Sequence, residues 1–153
     1  MAAADVGALE PVRVFFDADV ILNAAFSSQD DSASIVLLQL SELGLLEGIT
    51  SEKAQEEALR NCESKLPQAL PKLRDFIANS LVIWREPADE HRRDAAEHSH
   101  EKDTEHLVTA LDAGYRFLLT RNLRDFRLPA DAPLEVIDPG GFIRRIRQAL
   151  AAL

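Results

Sequence analysis

Acidic and amide side chains fall at a few definite places along this chain. Asp17 follows the apolar stretch Val12-Arg13-Val14-Phe15-Phe16. Glu57 lies on a segment led by Ser51, about two helical turns in. Asp103 opens an apolar helical stripe, and Asn122 and Asp125 directly follow Phe117-Leu118-Leu119-Thr120. Carboxylates gathered in one pocket repel, and some must take up protons. A divalent cation removes that conflict, and oxygen donors without thiolate suit magnesium or manganese. A metal so held activates water and stabilises charge on a phosphoryl group in flight. The chemistry these residue types suggest is phosphodiester hydrolysis.

Each of these residues also has a plainer role open to it. Asp17 or Asp19 can simply cap the following helix. Glu57 stands beside Glu56 on a polar helix and can be solvated, and Asp103 can be a helix N-cap. Asp125 can cap a turn or pair with Arg121 or Arg124. His106, three residues after Asp103, shares its helix face and is either a metal partner or an ordinary polar histidine. His91, His98 and His100 lie in a charged stretch and read as solvated. Cys62, alone on a polar helix with no evident base, reads as a spectator.

The elements that must position these groups alternate. Val12 to Phe16 is a short continuous apolar run, as in a strand covered on both faces. A short helix from Val20 to Phe26 follows. Ser32 is an expected N-cap for a helix over 34–43 closed by Gly44. Strand two is expected over 45–50, and a helix from Ser51 to about Ser64. Pro67 and Pro71 mark one more helix or a break between two. Strand three is 81–84. A polar helical region covers 90–105, and the apolar stripe 107–111 precedes strand four at 115–120. Strand five is 134–137, with Asp138-Pro139-Gly140-Gly141 as its stop, and an amphipathic helix runs from Phe142 to Leu153. Strands alternating with helices predict an α/β/α sandwich with a mostly parallel sheet of about five strands. In such a sheet the ends of strands one and four can be neighbours, and ligands sit at carboxyl ends of strands.

The totals bound the class. At 153 residues the chain is most simply one domain, with residues 1–10 a mobile lead-in and 139–153 the terminal helical segment. Apolar residues make up 46% and charged residues 28%, ordinary for a soluble globular protein. The single cysteine excludes an internal disulfide and a cysteine-built zinc site. No apolar run approaches the roughly 18–20 residues of a membrane helix, and the N-terminus lacks the basic start of a signal peptide. A cytoplasmic location without membrane contact is expected. A net charge of -9 argues against a general phosphate-backbone binder. Bound cations would offset clustered carboxylates, and the arginines near 116–127 and 144–147 can form a basic face.

Four pieces in order resemble the PIN-domain ribonucleases, and within them the toxins of toxin–antitoxin pairs. They are Phe15-Phe16-Asp17-Ala18-Asp19-Val20-Ile21-Leu22; Thr50-Ser51-Glu52-Lys53-Ala54-Gln55-Glu56-Glu57; Lys102-Asp103-Thr104-Glu105-His106-Leu107 and the stripe after it; and Phe117-Leu118-Leu119-Thr120-Arg121-Asn122-Leu123-Arg124-Asp125-Phe126. The resemblance implies that Asp17, Glu57 and Asp103 are catalytic carboxylates holding magnesium or manganese, with Asp125 a further acid. Glu57 is preferred over Glu56 for its spacing from Ser51. The same resemblance gives Thr120 a ligand-supporting hydroxyl, leaves Asn122 where many members carry aspartate, and makes Asp19 a helix cap or a support for the ligands. Arg121 and Arg124 would hold the RNA backbone. It further implies an RNA substrate, an antitoxin protein and a homodimer. Two other readings stay open: a catalytically degenerate module that binds RNA or a partner, and a phosphatase of the haloacid dehalogenase type, suggested by Asp17-Ala18-Asp19-Val20.

Overall fold

The computed structural model describes residues 11–85, 113–126 and 134–153. The expected lead-in over 1–10, the polar helical region over 90–105, and Asp103, His91, His98, His100 and His106 lie outside the described residues.

Strand β1 (Arg13–Phe16) is the centre of the sheet. Val14, Phe15 and Phe16 are all fully buried, and successive strand side chains point to opposite faces, so both faces of β1 are covered. Helix α1 (Ala18–Phe26) follows at once, and α2 spans Ala33–Glu42. The Ser32 hydroxyl accepts from the Ile35 N–H at 3.3 Å, which fixes the start of α2. At its other end Leu45 N–H reaches Leu40 C=O and Gly44 N–H reaches Ser41 C=O. This is a Schellman closure, and Gly44, with φ +82°, supplies the left-handed residue it requires.

Strand β2 is Glu47–Ser51, so Leu45 and Leu46 belong to the approach and not to the strand. Helix α3 (Glu52–Lys65) is capped by Ser51, whose hydroxyl accepts from Ala54 N–H at 2.9 Å. A single 3-10 turn over Pro67–Ala69 leads into α4 (Leu70–Ser80). The two prolines therefore mark a break between helices, since proline suits a first turn and obstructs an interior. Strand β3 is Leu81–Trp84, β4 is Phe117–Leu119 and β5 is Glu135–Ile137.

Helix α5 is Pro139–Ala151. It begins where the expected 139–153 segment begins and three residues before the amphipathic stretch expected from Phe142, because Asp138-Pro139 opens the helix where a strand stop was expected. Asp138 Oδ1 accepts from Gly141 N–H at 2.6 Å, and a proline at the first helical position loses no hydrogen bond.

The five strands form one sheet in the order β3-β2-β1-β4-β5, with every neighbouring pair parallel. With five α-helices among the described residues, this is the α/β architecture the sequence predicts. Helix α1 packs against α2, α3 and α4, and α2 packs against α4 and α5. The chain leaves β1 toward β2 on one side and later returns to place β4 on the other. The carboxyl ends of β1 and β4 therefore flank the point where the strand order reverses.

Close approach of backbone explains Gly48 in β2. A Cβ there would meet Ser41 Oγ at 2.7 Å, Phe16 Cε1 at 3.0 Å and the Ser80 carbonyl at 3.0 Å. The Ser41 hydroxyl accepts from Gly48 N–H and donates to Ser80 C=O, tying α2 to the ends of β2 and α4.

Candidate metal centre

The first residue after β1 is Asp17, and its N–H continues the ladder by donating to Leu119 C=O at 3.0 Å. Thr120, the first residue after β4, likewise donates its N–H to Ile137 C=O at 3.2 Å. Ladder hydrogen bonds thus hold Asp17 and Thr120 side by side. Thr50 on β2 supports the same edge, donating its buried hydroxyl to Phe16 C=O at 2.8 Å.

Asp17 is buried, and its two oxygens are used differently. Oδ1 accepts from Ala18 N–H at 2.8 Å and caps α1, while Oδ2 accepts from Thr120 Oγ1 at 3.0 Å. Capping and a place in the site are therefore not alternatives for this residue. Asp19 is not the helix cap that the sequence allowed. It sits in the first turn of α1, because Asp17 already occupies the cap position. Asp19 Oδ2 accepts from Thr120 Oγ1 at 3.2 Å and from Arg121 N–H at 3.0 Å.

Thr120 is fully buried and has one hydroxyl proton for two carboxylates. Its oxygen also accepts from Asn122 N–H at 3.1 Å. The consequence falls on Asp19. Burial, and then the negative charge of Asp17, push its carboxyl up from the ordinary 3.8 to about 6, against the opposing pull of Arg121 and Thr120. Asp19 Oδ1 is buried, and among the described residues nothing donates a hydrogen bond to it. A buried anionic oxygen without a donor is costly, and a cation is the partner that chemistry supplies most readily.

The remaining candidates lie around this core. Asp125 is on a 3-10 turn over Leu123–Asp125, and its Oδ2 accepts from the Asn122 side-chain amide. Asn122 links it to the centre, since the Asn122 N–H donates to Thr120 Oγ1 at 3.1 Å. Glu57 lies on α3 three residues after buried Ala54 and one before buried Ala58, at the half-buried margin, whereas Glu56 is exposed. Arg121 and Arg124 are exposed beside the site. Among the described residues no three His, Cys, Asp or Glu side chains gather closely enough to hold a metal ion. Asp103 lies outside those residues. Cys62 is buried, burial pushes its thiol up, and it donates to Leu66 C=O at 3.5 Å, so it has the character of a core residue.

Sequence reasoning passed over Asn23, Ser34 and Asp138, which line a cavity shared with Arg121. For Asp138 the signal was present as an N-cap aspartate before proline.

The architecture is an all-parallel α/β sheet carrying a hydroxyl-bridged aspartate pair at its switch point. Residues 13–124 match the family model for the PIN domain, and the chain belongs to that family. No curated protein matches the sequence. Among solved structures, the chain is similar to VapBC2 from Rickettsia felis, determined bound to a DNA fragment from its promoter. Identity is 16% and the TM-score 0.65, covering 83% of this chain and 98% of that one. It is also similar to VapC20 of Mycobacterium tuberculosis, described as a sarcin-ricin loop cleaving toxin, at 8% identity and a TM-score of 0.48, covering 69% and 86%. At these identities the likeness is one of fold. Among the described residues no helix is long and apolar enough to cross a membrane.

Proposed function

We propose that this protein is a metal-dependent endoribonuclease that hydrolyses RNA phosphodiester bonds and acts as the toxin of a toxin–antitoxin pair. The observation that carries the reading is the Asp17–Thr120–Asp19 arrangement, with a buried Asp19 oxygen lacking any hydrogen-bond donor among the described residues. Membership of the PIN-domain family supports the same chemistry and sets the haloacid dehalogenase alternative aside.

The donor set fits a hard cation. Asp17 and Asp19 offer carboxylate oxygens, no thiolate is nearby, and after burial the negative charge of Asp17 helps push the Asp19 carboxyl up, a repulsion that a cation relieves. Asp17 and Asp19 would hold magnesium or manganese, with Glu57, Asp103 and Asp125 as the further carboxylates of the reading. When bound, the ion supplies charge to a phosphoryl oxygen and lowers the pKa of water. Thr120 keeps the two aspartates in register by sharing its proton. Arg121 and Arg124 contact the RNA, and their charge locally offsets a net charge of -9.

The test is cleavage of single-stranded RNA in manganese or magnesium by wild type, Asp17→Asn and Asp19→Asn. Loss of activity in both variants is expected, and equal activity in all three overturns the reading. The partners belong to the same proposal: an antitoxin protein, a homodimer and a cytoplasmic setting. Co-expression with the neighbouring reading frame and light scattering of the purified protein test the first two.

One observation favours a second reading, a catalytically degenerate module that binds RNA or a partner. The Asn122 amide stands where many family members have aspartate, and it engages Asp125. Calorimetric titration with manganese separates the two, since a binding-only module need not take up the ion.

A further inference from the structure

A cavity of about 340 Å³ adjoins the aspartate pair, lined by Asn23, Ala33, Ser34, Arg121, Asp138 and Pro139 among others. Its link to the centre is Arg121, whose backbone N–H holds Asp19 Oδ2 at 3.0 Å while the residue also lines the cavity. Asp138 enters from the other side, one residue beyond the Thr120–Ile137 ladder bond. The volume is at the small end of the roughly 300–1,000 Å³ typical of ligand sites.

The lining brings Arg121 and Asp138, residues of opposite charge, to one space, yet among the described residues no ion pair joins them. Asp138 uses Oδ1 to cap α5 and has further lone pairs for a ligand. Asn23 accepts from Ser34 Oγ at 2.9 Å through Oδ1, which leaves its amide N–H groups as donors. Ala33 and Pro139 add short apolar contacts. A phosphate would satisfy Arg121 and meet Asp138 as a like charge. A nucleobase with both a donor edge and an acceptor edge satisfies the two together. Guanine presents N1–H and N2–H side by side, which match a carboxylate, and O6 and N7, which match arginine. Adenine, cytosine and uracil each lack that adjacent pair of donors.

We propose that this cavity reads a guanine next to the scissile phosphodiester, with Asp138 taking its Watson–Crick donors and Arg121 its O6 and N7. The role in catalysis rests on the ribonuclease reading above, but the binding does not. Asp138 and Arg121 are then specificity-determining residues.

The test is calorimetric titration of the full chain with GMP, IMP and AMP, which share ribose and phosphate and differ in the base. GMP is expected to bind about tenfold more tightly than AMP, with IMP, which lacks the N2 amine, between them. Asp138→Asn keeps a good helix cap and is expected to erase the preference for GMP with no large fall in Tm. Arg121→Gln, at an exposed position, is expected to weaken GMP binding and serves if Asp138→Asn fails to fold. Equal affinity for the three nucleotides, no binding of any, or a preference unchanged in both variants overturns the proposal. Guanine selectivity without RNA cleavage leaves the cavity assignment standing and removes the nuclease reading. Cleavage without guanine selectivity does the reverse.

Discussion

Asp17 and Asp19 share one proton donor: Thr120 Oγ1 lies 3.0 Å from Asp17 Oδ2 and 3.2 Å from Asp19 Oδ2. A single hydroxyl cannot satisfy two buried anions at once. The pair is therefore held in a state that favours either protonation of Asp19 or a cation.

Stability should fall with pH across the range where Asp19 ionises. Its folded pKa of about 6 lies above the ordinary 3.8, so between those values the folded state binds the extra proton. Stability is then greatest below the lower value and declines as pH rises through the upper one. Asp19→Asn removes the penalty and should stabilise the metal-free protein at pH 7.5 by about 1–2 kcal/mol, after discounting for partial solvent exposure. The gain should vanish near pH 4. Urea unfolding of both proteins at the two pH values is the measurement, and a constant difference between them would contradict this account.

Manganese should reverse that slope. Binding to the folded state alone stabilises by roughly 2.7 kcal/mol at a hundred times the Kd. Proton competition at Asp19 should weaken the effect at pH 5 relative to pH 7.5. Thermal unfolding with and without manganese reads it out, and Asp17→Asn should abolish the shift.

Replacing Thr120 by valine keeps the volume and deletes the hydroxyl. Asp17 and Asp19 lose their shared donor, and Asn122 N–H loses its acceptor. A loss of about 1–3 kcal/mol is expected from groups left unsatisfied, together with reduced RNA cleavage. Thr120→Ser should recover most of both. A valine variant as stable and active as wild type would show that the hydroxyl does not organise the pair.

Gly48→Ala separates fold from site. The added methyl meets Ser41 Oγ and the Ser80 carbonyl at 2.7 and 3.0 Å, and neither can move without breaking the bond between them. A destabilisation of about 1–3 kcal/mol is expected. Activity per folded molecule should be unchanged, as measured by denaturant melts alongside RNA cleavage at low temperature.

Much of this was already legible in the residues. The apolar run ending in Asp17 predicts a buried strand with an acid at its carboxyl end, because a strand covered on both faces needs a continuous apolar run. Ser32 and Ser51 announce their helices, since capping is a bond across three residues. Alternating elements predict the parallel sheet, and four motif pieces predict the family. These signals are local, and local hydrogen bonding and periodicity leave their mark on adjacent residues. Asp138-Pro139-Gly140-Gly141 misled for a local reason too, because proline and glycine serve both a turn and a helix start. Tertiary structure alone decided which acid partners Asp17. Thr120 stands 103 residues from Asp17 and 101 from Asp19, and only the β1–β4 ladder brings its hydroxyl between them. The desolvation and the like charge that raise Asp19, and the cavity that Arg121 shares with Asp138, arise from that same meeting of distant strand ends, which no spacing along the chain encodes.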